Sequence, residues 1–312
     1  MQYSDSSRAS SAAGRDSASE GKVVAAYGKR LLVEDAQGQR QPAFAARRGL
    51  RLVCGDRVLW RHQDAGGDLA VLERLPRSTE LTRPDSRGRS EVLAANIDQV
   101  VVVCAATPVP DPFIIDRYLA AAEVMGAEAA IGCNKSDLAD TAALDMLAEF
   151  SRVGYPVLRV SAHAGTGLQS LLRQLADRCS ILVGQSGVGK SSLLNALVPG
   201  VELATMEISS ASGEGRHRTT ATTLYHLPGG GTLLDSPGVR DYAPALDDPR
   251  MAAAGFREIV AAADHCRFGN CRHMREPGCA VKAGVEQGQI SARRYESYRR
   301  LLRLTEDLRP RR

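Results

Sequence analysis

The stretch Gly184-Gln185-Ser186-Gly187-Val188-Gly189-Lys190-Ser191 constrains this chain more tightly than any other. It follows the apolar run Ser180-Ile181-Leu182-Val183 and leads into Ser192-Leu193-Leu194, so the order strand, glycine-rich turn, helix is predicted here. Such a turn aims successive backbone N–H groups at phosphate oxygens, and the helix N-terminus adds positive potential. Lys190 brings a cation to the β and γ phosphates, and Ser191 brings a hydroxyl to Mg²⁺. The whole loop, with Ser192 behind it, is therefore expected to line a phosphate site.

From Ile97 onward, apolar strand-like runs alternate with helical stretches. Strands are predicted at 99–105, 129–133, 157–160, 180–183 and 232–234, and helices at 112–125, 142–152, 167–177 and 190–197. That alternation predicts a parallel, doubly wound α/β sheet over 96–244.

Asn134-Lys135-Ser136-Asp137 follows one of these strands. A carboxylate such as Asp137 accepts two hydrogen bonds from guanine N1–H and the 2-amino group. Adenine offers neither donor, so ATP would leave the carboxylate unpaired. Asn134 is placed to bridge base and loop, and the Lys135 stem to cover the base. Ser161-Ala162, closing the next strand, is expected to reach guanine O6 through the backbone. The order is unusual: base recognition precedes the phosphate loop, as in a chain whose ends have been moved by circular permutation.

Asp235-Ser236-Pro237-Gly238 fits D-x-x-G, with Asp235 expected on the Mg²⁺ side and the Gly238 N–H at the γ-phosphate. Val239 stands where many GTPases orient water with Gln, and valine cannot do that. Upstream, either Thr219 or Thr220 is expected to complete the Mg²⁺ site with Ser191 and Asp235. His217 is the candidate to orient the attacking water, acting with Lys190 in catalysis.

Cys266, Cys271, His273 and Cys279 offer three thiolates and one imidazole within fourteen residues. Four soft ligands suit a closed, tetrahedral, structural Zn²⁺. The seven cysteines form no disulfide framework, which points to a reducing compartment and a cytoplasmic protein. No apolar run approaches the ~20 residues of a membrane span, so no membrane role is expected. Residues 245–312 read as helices around this cluster, ending in an arginine-rich helix.

Residues 21–81 read instead as short strands with frequent glycine turns, the pattern of a five-stranded OB-type barrel. The strand pieces are Val23-Val24, Leu31–Val33, Leu52-Val53, Val58–Trp60 and Leu69–Leu72. Residues 1–20 are rich in Ser and Ala and read as a disordered tail, and 82–95 as a linker. The net charge is only +4, but residues 21–95 carry 14 Lys/Arg against 9 Asp/Glu, and residues 293–312 carry 8 Arg against 3 acids. Both flanks are candidate RNA-backbone contacts.

Together these residues resemble the RsgA (YjeQ) family of circularly permuted GTPases. The carriers are Gly55-Asp56-Arg57-Val58, Asn134-Lys135-Ser136-Asp137, the loop 184–192, Asp235-Ser236-Pro237-Gly238-Val239-Arg240, the Cys/His cluster and Arg294-Tyr295-Glu296-Ser297-Tyr298. The resemblance implies an RNA-binding OB-fold, a GTPase domain and a zinc domain. It also implies a monomer that binds GTP or GDP and the 30S ribosomal subunit with its 16S rRNA, hydrolysing GTP on the way to release during late subunit maturation. The family's switch I usually reads His-Thr-Thr-Thr; here it is His217-Arg218-Thr219-Thr220, so the His carries over while Arg218 departs from the pattern. The competing reading is an RNA-binding factor in which hydrolysis is secondary.

Overall fold

The computed structural model describes residues 18–28, 30–63, 67–84, 90–138, 141–200, 222–235 and 249–307. Five strands open the chain: β1 (Ser19–Tyr27), β2 (Arg30–Asp35), β3 (Arg40–Ala45), β4 (Arg57–Arg61) and β5 (Leu69–Arg74). Their order is β1-β2-β3-β5-β4, and β4 returns to β1, which closes a barrel of the OB type. Val23, Leu31, Val33, Ala43, Val58, Trp60, Leu69 and Val71 fill it.

Two details differ from the sequence reading. Leu52-Val53 lies outside any strand, and the third strand is Arg40–Ala45, which turns only Ala43 fully inward. A single small residue on the buried face leaves no alternating apolar signal. The expected tail also ends early, because Ser19 and Glu20 pair with Trp60 and Leu59 to close the barrel.

The stretch 82–95, expected as a linker, carries most of a hairpin formed by β6 (Glu80–Pro84) and β7 (Ser90–Ala95). Leu81 and Ala94 are buried in the main core, so tertiary packing holds this breaker-rich segment in place. Asp56 is fully buried at the joint. It accepts from Val53 N at 2.8 Å and from Arg77 Nε and Nη2 at 2.6 and 2.9 Å. The Gly55-Asp56-Arg57-Val58 signature is therefore a structural knot between barrel and hairpin.

The central unit runs β8 (Gln99–Ala105), α1 (Pro112–Met125), β9 (Glu128–Asn134), α2 (Thr141–Arg152), β10 (Val157–Arg159), α3 (Leu168–Leu175), β11 (Cys179–Val183), α4 (Lys190–Leu197), β12 (Thr223–His226) and β13 (Thr232–Asp235). The spatial order is β10-β9-β8-β11-β13-β12. The first five are parallel, whereas β12 runs antiparallel to β13, so the sheet is mixed rather than purely parallel. β12 escapes the sequence reading because it is only four residues long and returns through a tight glycine turn at 229–231.

All seven residues of β8 are buried, which marks a strand covered on both faces. Val100, Val102 and Cys104 pack with Leu119 and Phe150 of α1 and α2, while Val101, Val103 and Ala105 pack with Leu171 and Leu194 of α3 and α4. Helix α1 starts where Asp111 caps the Phe113 N–H at 2.9 Å and Pro112 occupies the first turn.

A 3₁₀ segment (Pro249–Gly255) and α5 (Arg257–Ala263), α6 (Ala280–Glu286) and α7 (Ala292–Asp307) complete the fold. Phe256, Ile259, Val281, Tyr298, Leu301 and Leu302 form their core, which also takes in Ala120 of α1. No helix among the described residues is long and apolar enough to cross a membrane.

Candidate nucleotide and metal sites

The phosphate loop sits between β11 and α4, at the carboxyl ends of the parallel strands, where ligands of open α/β sheets bind. Gly184 has φ 142°, and a Cβ there would lie 2.1 Å from the Val103 carbonyl oxygen, so only glycine fits. Gly189 has φ 89°, and a Cβ would meet Asn134 Nδ2 at 2.3 Å. Val188 is completely buried among the core residues, so at that position only the backbone faces the loop's interior. Ser191 and Ser192 stand in the first turn of α4.

Lys190 Nζ donates to the carbonyls of Gly184 and Gln185, both at 2.7 Å, which holds the ammonium over the loop. Burial brings its pKa down to about 8, against the pull of the Asp235 charge. Burial likewise pushes Asp235 up, with Lys190 opposing. A partly buried cation and carboxylate beside a glycine cradle suit a phosphate with its divalent cation, supplied here by Lys190, Ser191 and Asp235.

Asn134, 2% exposed, ties the base motif to the loop. Its Nδ2 donates to Val188 O at 2.9 Å, and its Oδ1 accepts from Ala162 N at 3.1 Å. Lys135 Nζ donates to Thr107 O at 2.9 Å and Gly187 O at 2.8 Å. Thr107 is a member of this site that the motif reading missed; its only sequence signal is its place just after β8. The Ser161 hydroxyl hydrogen-bonds Asp137 and holds that carboxyl below its ordinary value. Ser161 is itself buried and accepts from Ala164 N at 2.9 Å. Asn134 and Lys135 thus touch the phosphate loop, Ala162 joins it through Asn134, and Ser161 holds Asp137, although 50 residues separate Asn134 from Gly184. His217, Thr219, Thr220 and Gly238 lie outside the described residues.

The family model described as RsgA GTPase matches residues 74–244. The chain belongs to the RsgA GTPase family. It is a GTP-hydrolysing enzyme. It is 45% identical over 291 residues to the Small ribosomal subunit biogenesis GTPase RsgA of Azotobacter vinelandii, covering 90% of this chain and 84% of that one. The namesake in Pseudomonas syringae pv. tomato is 45% identical with the same coverage. Among solved structures, YjeQ from Thermotoga maritima superposes with a TM-score of 0.76 at 32% identity, covering 95% of this chain and all of that one. YloQ, described as a circularly permuted GTPase, gives 0.73 at 26% identity over 96% and 98% of the two chains. The base-before-phosphate order of this RsgA family member agrees with the description of YloQ as circularly permuted.

The second site lies in the C-terminal unit. The ligand atoms of Cys266, Cys271, His273 and Cys279 all lie within 4.8 Å of one another. Cys266 Sγ and Cys279 Sγ stand 3.6 and 3.5 Å from His273 Nδ1 and 4.0 Å from each other. A zinc tetrahedron with Zn–S of about 2.3 Å has edges of about 3.8 Å, so the four groups could hold Zn²⁺. Tyr295 and Tyr298 of α7 donate to the His273 and Arg272 carbonyls at 2.5 and 2.6 Å and fix the knuckle from behind.

The arginine-rich helix is less free than its composition implies. Arg294 is fully buried and bonds Asp116 of α1 at 2.6 Å as well as Glu258. Arg293 bonds Asp116 at 2.7 Å and Glu149 at 2.5 Å. These two arginines therefore fasten the C-terminal unit to the GTPase unit.

Proposed function

We propose that this chain binds the small (30S) ribosomal subunit through its 16S rRNA in the cytoplasm, and that GTP hydrolysis times its release during late maturation. The observation that carries the reading is the near full-length similarity to small ribosomal subunit biogenesis GTPases. Residues 21–81 supply the RNA-facing barrel, 96–244 the GTPase domain and 245–312 the zinc domain. Asp137 reads guanine, with Asn134, Lys135, Ser161 and Ala162 holding the base pocket. Residues 184–192 hold the phosphates. Ser191, Asp235 and Thr219 or Thr220 bind Mg²⁺, and Gly238 meets the γ-phosphate. Cys266, Cys271, His273 and Cys279 bind one structural Zn²⁺.

His217 orients the attacking water in this scheme, since Val239 cannot. Losing such a group lowers stimulated turnover by about 10²-fold, so His217→Ala is expected to keep nucleotide affinity and lose kcat. The RNA grip rests mainly on the barrel, where Arg47 and Arg48 are exposed. The deciding experiment is GTP turnover with and without purified 30S particles. Strong stimulation supports the proposal, and absence of stimulation supports an RNA-binding factor in which hydrolysis is secondary. Charge reversal of Arg47 and Arg48 is expected to weaken 30S binding and flatten its salt dependence.

A further inference from the structure

Asp235 ends β13, and its lateral support is uneven. The ladder from β11 stops at Ile181↔Leu234, one residue short of it. Among the described residues its sheet partner is Thr223 of β12. Thr223 in turn faces Ala25 of β1, which belongs to the barrel. Ala25, Thr223 and Asp235 thus form one row crossing from the barrel into the GTPase sheet.

The barrel also grips β12 with side chains. Glu34 of β2 accepts from Arg40 Nε, its cross-strand neighbour on β3, at 2.8 Å. The same carboxylate meets His226 Nε2 at 2.7 and 2.9 Å. Arg40 Nη2 reaches the Leu224 carbonyl at 3.3 Å. The Glu34 side chain is only 10% exposed, whereas those of Arg40 and His226 are 33% and 56% exposed. The carboxylate therefore holds His226 at one end of β12 directly and Leu224 through Arg40, in a four-residue strand whose other end, Thr223, pairs with Asp235.

We propose that Glu34, with Arg40, is a positioning residue for the GTPase reaction, acting through β12 on Asp235. The inference rests on the assignment of Asp235 to the Mg²⁺ side. Residues outside the ligand sphere that orient a metal-binding group are commonly worth about 10- to 100-fold in metal affinity, and Glu34 acts at one further remove, so the low end applies.

The test measures fluorescent-GDP affinity with and without Mg²⁺, and backbone hydrogen exchange in nucleotide-free protein, for Glu34→Ala, Arg40→Ala, His226→Ala and Asp235→Ala. Arg57→Ala, which breaks the exposed Arg57–Glu20 pair elsewhere on the barrel, serves as control. For Glu34→Ala, the gain in affinity that Mg²⁺ confers is expected to fall by about tenfold. Metal-free affinity should hold, and exchange should rise at 223–226 and 232–235. If Glu34→Ala unfolds the barrel, Arg40→Ala and His226→Ala carry the same expectation with the carboxylate in place. Unchanged Mg²⁺ dependence in these variants, with Asp235→Ala still defective, overturns the positioning role and leaves the site assignment standing. An unaffected Asp235→Ala sinks both. Equal effects from Arg57→Ala reduce Glu34 to general barrel stability and overturn the proposal.

Discussion

Arg294 Nη1 lies 2.6 Å from Asp116 Oδ1, and both side chains are sealed from solvent, at 0% and 1% exposure. This pair joins the last helix of the chain to α1, the helix that follows the first strand of the GTPase sheet. Burial works against the Arg294 charge, but its hydrogen bonds to Glu258 and the Asp116 charge outweigh it and raise its pKa. Phe150, Tyr155 and Phe256 place their rings within 6 Å of the same guanidinium. Removing Asp116 takes a carboxylate from both Arg293 and Arg294, and breaking a buried pair of this kind costs about 3–5 kcal/mol. Asp116→Ala is therefore expected to lower stability by that amount in denaturant titrations. The paired change Asp116→Leu with Arg294→Met should recover only part of the loss, because it leaves Glu258 without Arg294 and Arg293 without Asp116. A double variant as unstable as the single one would show that the charges, rather than their mutual pairing, are needed.

The guanine assignment predicts a change of nucleotide. Asp137→Asn replaces an acceptor by an amide whose NH₂ can donate to the 2-oxo group of xanthine but opposes the guanine donors. Competition binding should show GTP weakened and XTP favoured. Retained preference for GTP in that assay removes Asp137 from base reading.

Lys190 makes phosphate affinity depend on pH. Burial lowers its pKa from 10.5 to about 8, and a bound phosphate requires the charged form. Below pH 8 the ammonium is already present. Above it, binding must first return the proton, so GTP affinity should fall toward a limit of about tenfold per pH unit. The sign for stability is opposite. The unfolded chain holds this proton to higher pH, so the nucleotide-free fold gains stability from Lys190 as pH rises from about 8 toward 10.5. Titration with a fluorescent nucleotide between pH 7 and 10 checks the first statement. Lys190→Ala should bind weakly at every pH, without this slope.

The zinc assignment predicts a local collapse. Cys266→Ser, or a strong chelator, should remove one zinc per chain as read by elemental analysis. The C-terminal helices should then become sensitive to limited proteolysis, because Tyr295 and Tyr298 lose the ordered carbonyls they hold. Guanine-nucleotide binding should survive, since the site from Asn134 to Asp235 draws none of its contacts from the cluster. Full zinc content in Cys266→Ser argues against the four-ligand site.

The amino-acid sequence by itself determined the phosphate loop, the base motif, their permuted order and the cluster of three cysteines and one histidine. It also placed the two helices whose ends carry local signals, α1 behind Asp111-Pro112 and α4 behind Gly189. In each case the chemistry is written in neighbouring residues, so spacing along the chain is enough. The tertiary structure alone decided which groups meet across long separations. The third barrel strand, Arg40–Ala45, and the antiparallel β12 are specified by the strands they pair with rather than by their own apolar pattern. The same holds for charge. Arg293 and Arg294 read as part of a basic tail, yet they turn inward because Asp116, Glu149 and Glu258 wait more than thirty residues away and a buried guanidinium requires such partners. Glu34 carries no motif at all, and its place against His226, 192 positions later, exists only because the barrel and the GTPase sheet share an edge.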